Sequence, residues 1–149
     1  TWALVMAAMR RIPQYVSNLK HGAWQQSGLK SSAMPPNFGL GMVLHGKTLG
    51  VWSYGRIGSL VAGYGRAFGM RVVVWGSDEA RARAAADGYD VATSKEGFFE
   101  CCDVLSLHLR LSERRPSSQA MRGWRARNFQ NPGNAAISAM SRRFHWVFR

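Results

Sequence analysis

Thr48-Leu49-Gly50-Val51-Trp52-Ser53-Tyr54-Gly55-Arg56-Ile57-Gly58 decides the fold of this chain. Thr48 to Trp52 is a short apolar run of the kind that forms a buried strand, and a turn with two glycines follows it directly. From Ser59 to Phe68 the sequence favours a helix, which Gly69 ends, since glycine suits the left-handed position after a helix terminus. Arg71-Val72-Val73-Val74-Trp75 is rich in β-branched residues and reads as a second strand.

The same alternation continues. Asp78 to Asp87 is rich in alanine and arginine, favours a helix, and stops before Gly88. Asp90-Val91-Ala92 is a brief third strand. Thr93 and Glu96 have the spacing of a capping box for a short helix through Cys101, and Val104 to Leu109 forms a fourth strand. The order β-α-β-α-β-α-β predicts an α/β fold, a doubly wound parallel sheet of the Rossmann type with helices on both faces.

The turn after the first strand is where such a fold carries chemistry. A dinucleotide-binding turn uses one glycine for a tight bend, a second to bring backbone N–H groups to a pyrophosphate, and a third to let helix pack on strand. The phosphates lie at a helix N-terminus, where unpaired amides and the helix dipole favour negative charge. Gly55 and Gly58 fill the second and third roles; Ser53 holds the first. If the backbone at Ser53 must be left-handed, serine costs roughly 1–2 kcal/mol there. The candidate cofactor-binding residues of this turn are Ser53, Tyr54, Gly55, Arg56, Ile57 and Gly58.

Upstream, Val5, Met9, Ile12, Val16 and Leu19 recur at helical spacing, with Pro13 predicting a kink or break after Arg11. From His21 to Gly46 periodicity gives way to Gly, Ser and Pro35-Pro36, a connecting segment. Residues 1–46 therefore form the entry to the domain, and 47–113 its nucleotide-binding half. No apolar run is long enough to span a bilayer, and no signal-peptide order of segments occurs. The adjacent Cys101 and Cys102 are poorly placed to bridge and have no metal-ligand spacing; they read as small apolar residues of a reduced, cytoplasmic protein.

Several separated motifs resemble one family. Lys47-Thr48-Leu49-Gly50, Tyr54-Gly55-Arg56-Ile57-Gly58, Ala67-Phe68-Gly69-Met70-Arg71-Val72 and Asp103-Val104-Leu105-Ser106-Leu107-His108-Leu109 are similar to the D-isomer-specific 2-hydroxyacid dehydrogenases, which include phosphoglycerate dehydrogenases. Thr1-Trp2-Ala3-Leu4 and Arg10-Arg11-Ile12-Pro13 resemble the helix by which that family enters its cofactor domain. The resemblance implies NAD or NADP over the Gly55–Gly58 turn, with the Arg56 and Ile57 amides near the pyrophosphate. It also implies that His108 and Leu109 end a strand beside the cofactor, against the plainer alternative of a strand-end histidine bonded to backbone. A 2-hydroxy or 2-keto acid as substrate of the complete enzyme follows from it, as does homodimerisation through the N-terminal helix. The family's catalytic arginine, histidine and acid lie beyond residue 113 and have no counterpart, so the chain is expected to be an inactive fragment.

Cofactor choice rests on the end of the second strand. NAD sites place an acid there for the ribose 2′-hydroxyl. Here Gly76 and Ser77 follow Trp75, so nothing repels a 2′-phosphate and Ser77 could donate to it. NADP is therefore expected to be accepted at least as well as NAD; Arg81 could reach the 2′-phosphate, against the plainer alternative of Arg81 and Arg83 on a solvated helix face.

The last residues differ in kind. Residues 1–109 carry 11 basic and 7 acidic side chains, net +4, whereas residues 110–149 carry 9 arginines, no lysine and one acid, net +8. The strongly basic pI of 11.1 belongs mostly to this tail. Arginine with Trp124, Phe144 and Trp146 suits phosphate contact and base stacking, but nucleic-acid binding is the weaker reading. Arginine-rich, lysine-free composition is what out-of-frame translation of a GC-rich gene gives, so residues 114–149 are expected to be a non-native or irregular tail. Losing the strands that normally follow would leave the fourth strand an open apolar edge prone to aggregation. The coding DNA beyond Glu113, read in its other two frames, is expected to yield the remaining dehydrogenase half; its absence from both frames would reject the frameshift.

Overall fold

A computed structural model describes residues 1–22 and 41–109, together with the backbone of Ala135–Ala136. The predicted connecting segment lies largely outside the described residues, as does the arginine-rich tail apart from those two alanines.

The chain opens with two helices, α1 (Trp2–Met9) and α2 (Ile12–Lys20). The break falls at Arg11, whose backbone is left-handed at φ 53°. Pro13 sits in the first turn of α2, where its missing N–H leaves no helical bond unmade. The single apolar stripe read from the sequence is therefore divided. Val5 and Met9 are buried, whereas Ile12, Val16 and Leu19 are about half exposed, because the bend at Arg11 carries α2 away from the core.

The sheet contains β1 (Thr48–Trp52), β2 (Arg71–Trp75), β3 (Asp90–Val91), β4 (Val104–Leu107) and β5 (Ala135–Ala136), all parallel, in the order β3-β2-β1-β4-β5. Helices α3 (Arg56–Ala67), α4 (Asp78–Ala86) and α5 (Lys95–Cys101) make the crossovers. Leu49, Val51, Val72, Val74 and Val104 face α1, α3 and α4 in one core cluster. Val73, Leu105 and Leu107 face Phe98 and Phe99 of α5 in another. Helices thus cover both faces, as a parallel sheet requires.

Several boundaries differ from the sequence reading. α3 starts at Arg56 rather than Ser59, since Gly55 already serves as its N-cap. The capping residue of α5 is Ser94, whose hydroxyl oxygen accepts the Gly97 amide at 3.0 Å, and not Thr93. β3 and β4 end one and two residues early. The expected open edge of β4 is corrected over its first half, where β5 pairs with it at Val104↔Ala135 and Leu105↔Ala136.

Two features level the strand ends that build the site. The Thr48 amide donates to Asp103 Oδ2 at 2.8 Å, and the Asp103 amide returns a bond to the Thr48 carbonyl at 3.0 Å. That clamp sets β1 against β4, so Trp52 pairs with Leu107 and the His108 amide reaches the Trp52 carbonyl at 3.0 Å. In the middle of β1, Gly50 lets α5 approach closely: a Cβ there would collide with Cys102 Sγ and lie 3.0 Å from the Phe98 ring. Overpacking a rigid core costs about 1–3 kcal/mol. Gly50→Ala should lose about that much in urea unfolding, and Cys102→Ala added to it should recover part; full stability of the single variant would refute the close-approach argument.

Candidate dinucleotide site

The turn after β1 is pinned before the helix begins. Ser53 donates its amide to the Trp75 carbonyl at 2.7 Å, tying the turn to the end of β2. Its backbone is left-handed at φ 78°, so the strain anticipated for a serine here is present. Gly55 follows in extended conformation as the N-cap of α3, and the space a Cβ would occupy is empty. No side chain caps α3, which leaves its first-turn amides, Arg56, Ile57 and Gly58, without helical acceptors. Gly58 has no room for a side chain, since a Cβ would run into the Ser53 carbonyl oxygen. A left-handed bend, an open glycine and a tight glycine therefore occur in the order that lets a pyrophosphate approach the backbone.

Tyr54 belongs to the turn by its backbone only. Its ring is buried beneath, tilted against Tyr89 at 5.7 Å between centroids, and its hydroxyl donates to Asp87 Oδ2 at 2.6 Å. Burial, reinforced by the Asp87 carboxylate, pushes the phenol pKa up. Arg83 Nη2 donates to the Tyr54 carbonyl at 3.1 Å. Arg83 is exposed, as the expected solvated helix face requires, and it also braces the turn. Beside this brace lies an open cavity of about 420 Å³, lined by Gly55, Arg56, Ser59, Arg83 and Asp87 as well as Tyr54.

At the end of β2, Gly76 abuts the turn, with its Cβ direction 3.4 Å from Ser53 Cα. Ser77 caps α4 by accepting the Ala80 amide at 3.3 Å, which leaves its O–H proton free to donate. Arg81, also expected in solvent, lies with its guanidinium carbon 5.0 Å from the Trp75 ring centroid and forms an ion pair with Asp78. Across the register, Trp52 pairs with Trp75, and Lys95 Nζ stands 5.4 Å from the Trp52 ring. The two strand-end tryptophans, each with a cation over it, were not singled out from the sequence. Aromatic residues ending two adjacent strands were the available signal.

His108 follows β4 at the same sheet edge, with Leu109 next to it. Its Nε2 lies 2.8 Å from Ser106 Oγ, so the imidazole is held by a hydroxyl and not by backbone as the plainer reading supposed. Ser106 is 1% exposed and was missed, although a lone polar residue within Val104–Leu107 marked it. Burial pulls the His108 pKa down to about 4, so the ring is neutral at pH 7. Among the described residues no cluster of three or more His, Cys, Asp and Glu could hold a metal ion.

A parallel sheet ordered β3-β2-β1-β4, with this turn at its carboxyl edge, defines the class of Rossmann-type dinucleotide-binding domains. The sequence profile for the D-isomer specific 2-hydroxyacid dehydrogenase NAD binding domain matches residues 2–117, and the chain belongs to that family. It is 37% identical over 113 residues to a glyoxylate reductase of Aeropyrum pernix, covering 76% of this chain and 32% of that protein. A D-3-phosphoglycerate dehydrogenase of Bacillus subtilis is 34% identical over 113 residues, 76% of this chain and 19% of that one. Among solved structures, an oxidoreductase from Ralstonia solanacearum is 49% identical with a TM-score of 0.74, over 98% of this chain and 49% of the other. A phosphoglycerate oxidoreductase from Vibrio cholerae is 33% identical with the same TM-score, over 95% and 50%. The chain spans about a third or less of the curated relatives' length.

The His108 pKa makes a pH prediction. Below the usual histidine value of 6.5 the unfolded chain takes a proton that the folded chain refuses until about pH 4. More protons bound to the unfolded state means stability falls as pH falls through that window. His108→Gln should flatten the slope of unfolding free energy between pH 6.5 and 4; an unchanged slope would show that His108 is not held neutral.

Proposed function

We propose that the Ser53–Gly58 turn is the pyrophosphate seat of a D-2-hydroxyacid dehydrogenase. The complete protein would move hydride between a 2-hydroxy acid and its 2-keto acid. When bound, the nicotinamide supplies the hydride acceptor or donor. The chain's own part is to hold and orient it. The amides of Arg56, Ile57 and Gly58 face the diphosphate, Ser53 and Gly55 give it access, and Gly76 and Ser77 meet the adenosine ribose. His108 and Leu109 border the crevice between β1 and β4. The single observation that carries this reading is the uncapped start of α3 behind a left-handed Ser53 and a tight Gly58.

With the family's acid–base residues expected outside this sequence, the chain alone would bind dinucleotide without turning over substrate. Its location would be cytoplasmic, where its two free thiols stay reduced. The half-exposed Ile12, Val16 and Leu19 of α2 are consistent with a homodimer, and nine arginines without a lysine over residues 110–149 suit a non-native tail.

Calorimetric titration of the full chain with NADH tests the site. Binding should occur and should weaken about tenfold or more in Gly58→Ala, a loss of roughly 1.4 kcal/mol or above. Equal affinity in the variant, with the fold intact by circular dichroism, would defeat the assignment.

A further inference from the structure

Three features meet where β2 ends. Trp75 closes the strand, Gly76 leaves that spot without a side chain against Ser53, and Ser77 has an uncommitted hydroxyl proton. Above them Arg81 lies over the Trp75 ring, its side chain 28% exposed, with Nε buried and lacking a hydrogen-bond partner among the described residues. Among the described residues its ionic partner is Asp78, whose own side chain is 91% exposed and so loosely held. An indole fixes the plane of a guanidinium while leaving its edge free for planar oxyanion recognition. The carboxylate of Asp78 occupies that edge, and a phosphate monoester offers the same acceptor geometry with more charge.

From this arrangement we infer that Arg81, stacked on Trp75, is the specificity-determining residue for a 2′-phosphorylated adenosine ribose, with Asp78 as the counter-ion that the phosphate displaces. The inference rests on the dinucleotide reading of the turn and extends it from NAD or NADP to a preference for NADP. Ser77 adds a donor on the same side. Ordinary NAD recognition would need a carboxylate at position 76 to accept from the 2′-hydroxyl, and glycine supplies none. Asp78 does not substitute for it, because it starts α4, one residue beyond the cap, and is engaged with Arg81.

Two small probes isolate the phosphate: adenosine 2′,5′-bisphosphate and 5′-AMP, with NADH as the control for the turn. Titrations of the full chain, followed by calorimetry and by tryptophan fluorescence, should give the bisphosphate at least tenfold tighter binding than 5′-AMP. Arg81→Gln should bring that ratio near one, and Asp78→Asn should raise it several-fold by removing the competing carboxylate. Circular dichroism of both variants separates a lost contact from a lost fold. If NADH binds but the ratio in the unaltered chain is near one, or if Arg81→Gln leaves a high ratio in place, the inference is overturned while the dinucleotide site stands. If neither NADH nor either probe binds, the dinucleotide reading itself fails and the inference falls with it.

Discussion

α3 must begin within touching distance of β1, and most of the structure answers to that demand. Gly58 lies against the Ser53 carbonyl, and Gly65, two turns on, would meet Leu49 and Val72 if it carried a Cβ. Contact this close keeps helix and strand from drifting apart. It also forces the chain to reverse in few residues, which explains why Ser53 is left-handed although it is not glycine. The strain, about 1–2 kcal/mol, is offset by neighbours that allow no other path. The Ser53 amide is bonded to β2, Arg83 holds the Tyr54 carbonyl, and the Tyr54 hydroxyl is bonded to Asp87. A turn fixed at three points presents its amides in one direction, so an anion arriving there meets little reorganisation cost.

The rest of the sheet brings other groups to the same edge. Parallel strands all point their carboxyl ends one way, and each following helix starts there, so α3, α4 and α5 share an edge. The Asp103–Thr48 clamp makes β1 and β4 end level, which is why His108 lies beside Trp52 and not a residue higher or lower. A slip of one residue would turn Ser106 and His108 together to the other face of the sheet. Register, rather than any single contact, decides which side chains meet.

Much of this was legible in the residues. Apolar runs, β-branched content and helix-stopping glycines at 69 and 88 placed four strands and three crossovers, because each signal is local and the core is built from them. The order of turn glycines marked the candidate site, and serine at position 53 marked the strain that its left-handed backbone carries. What stayed hidden depends on where side chains point in three dimensions. Nothing local distinguishes an arginine in water from one lying on an indole six residues back, as Arg81 does on Trp75. Tyr54 sits inside the motif yet turns inward, because Asp87 waits 33 residues away to accept its proton. The failure of the apolar stripe to bury Ile12, Val16 and Leu19 has a similar origin: periodicity assumes one axis, and a left-handed Arg11 made two. The partner of β4 was missed because two alanines within an arginine-rich stretch carry almost no strand signal, and only the geometry pairs them.

Charge at the carboxyl edge comes from sources that answer differently to their surroundings. The starts of α3 and α4 each offer partial positive charge, roughly half a unit, from amides that no change of pH removes. Arg81 and Lys95 add full charges, but over tryptophan faces, where the ring draws the cation without neutralising it. Asp78 and Glu79 are the carboxylates in α4's first turn, and Asp78 pairs with the arginine it partly cancels. An anion spanning this edge therefore meets fixed dipoles at the turn and a movable ion pair at its far end. In the proposed site those dipoles would act on the diphosphate common to both dinucleotides and so could not tell them apart. On the proposal that a 2′-phosphate displaces Asp78 from Arg81, discrimination would fall to the far end, and the choice of cofactor would be separated physically from the grip on its phosphates.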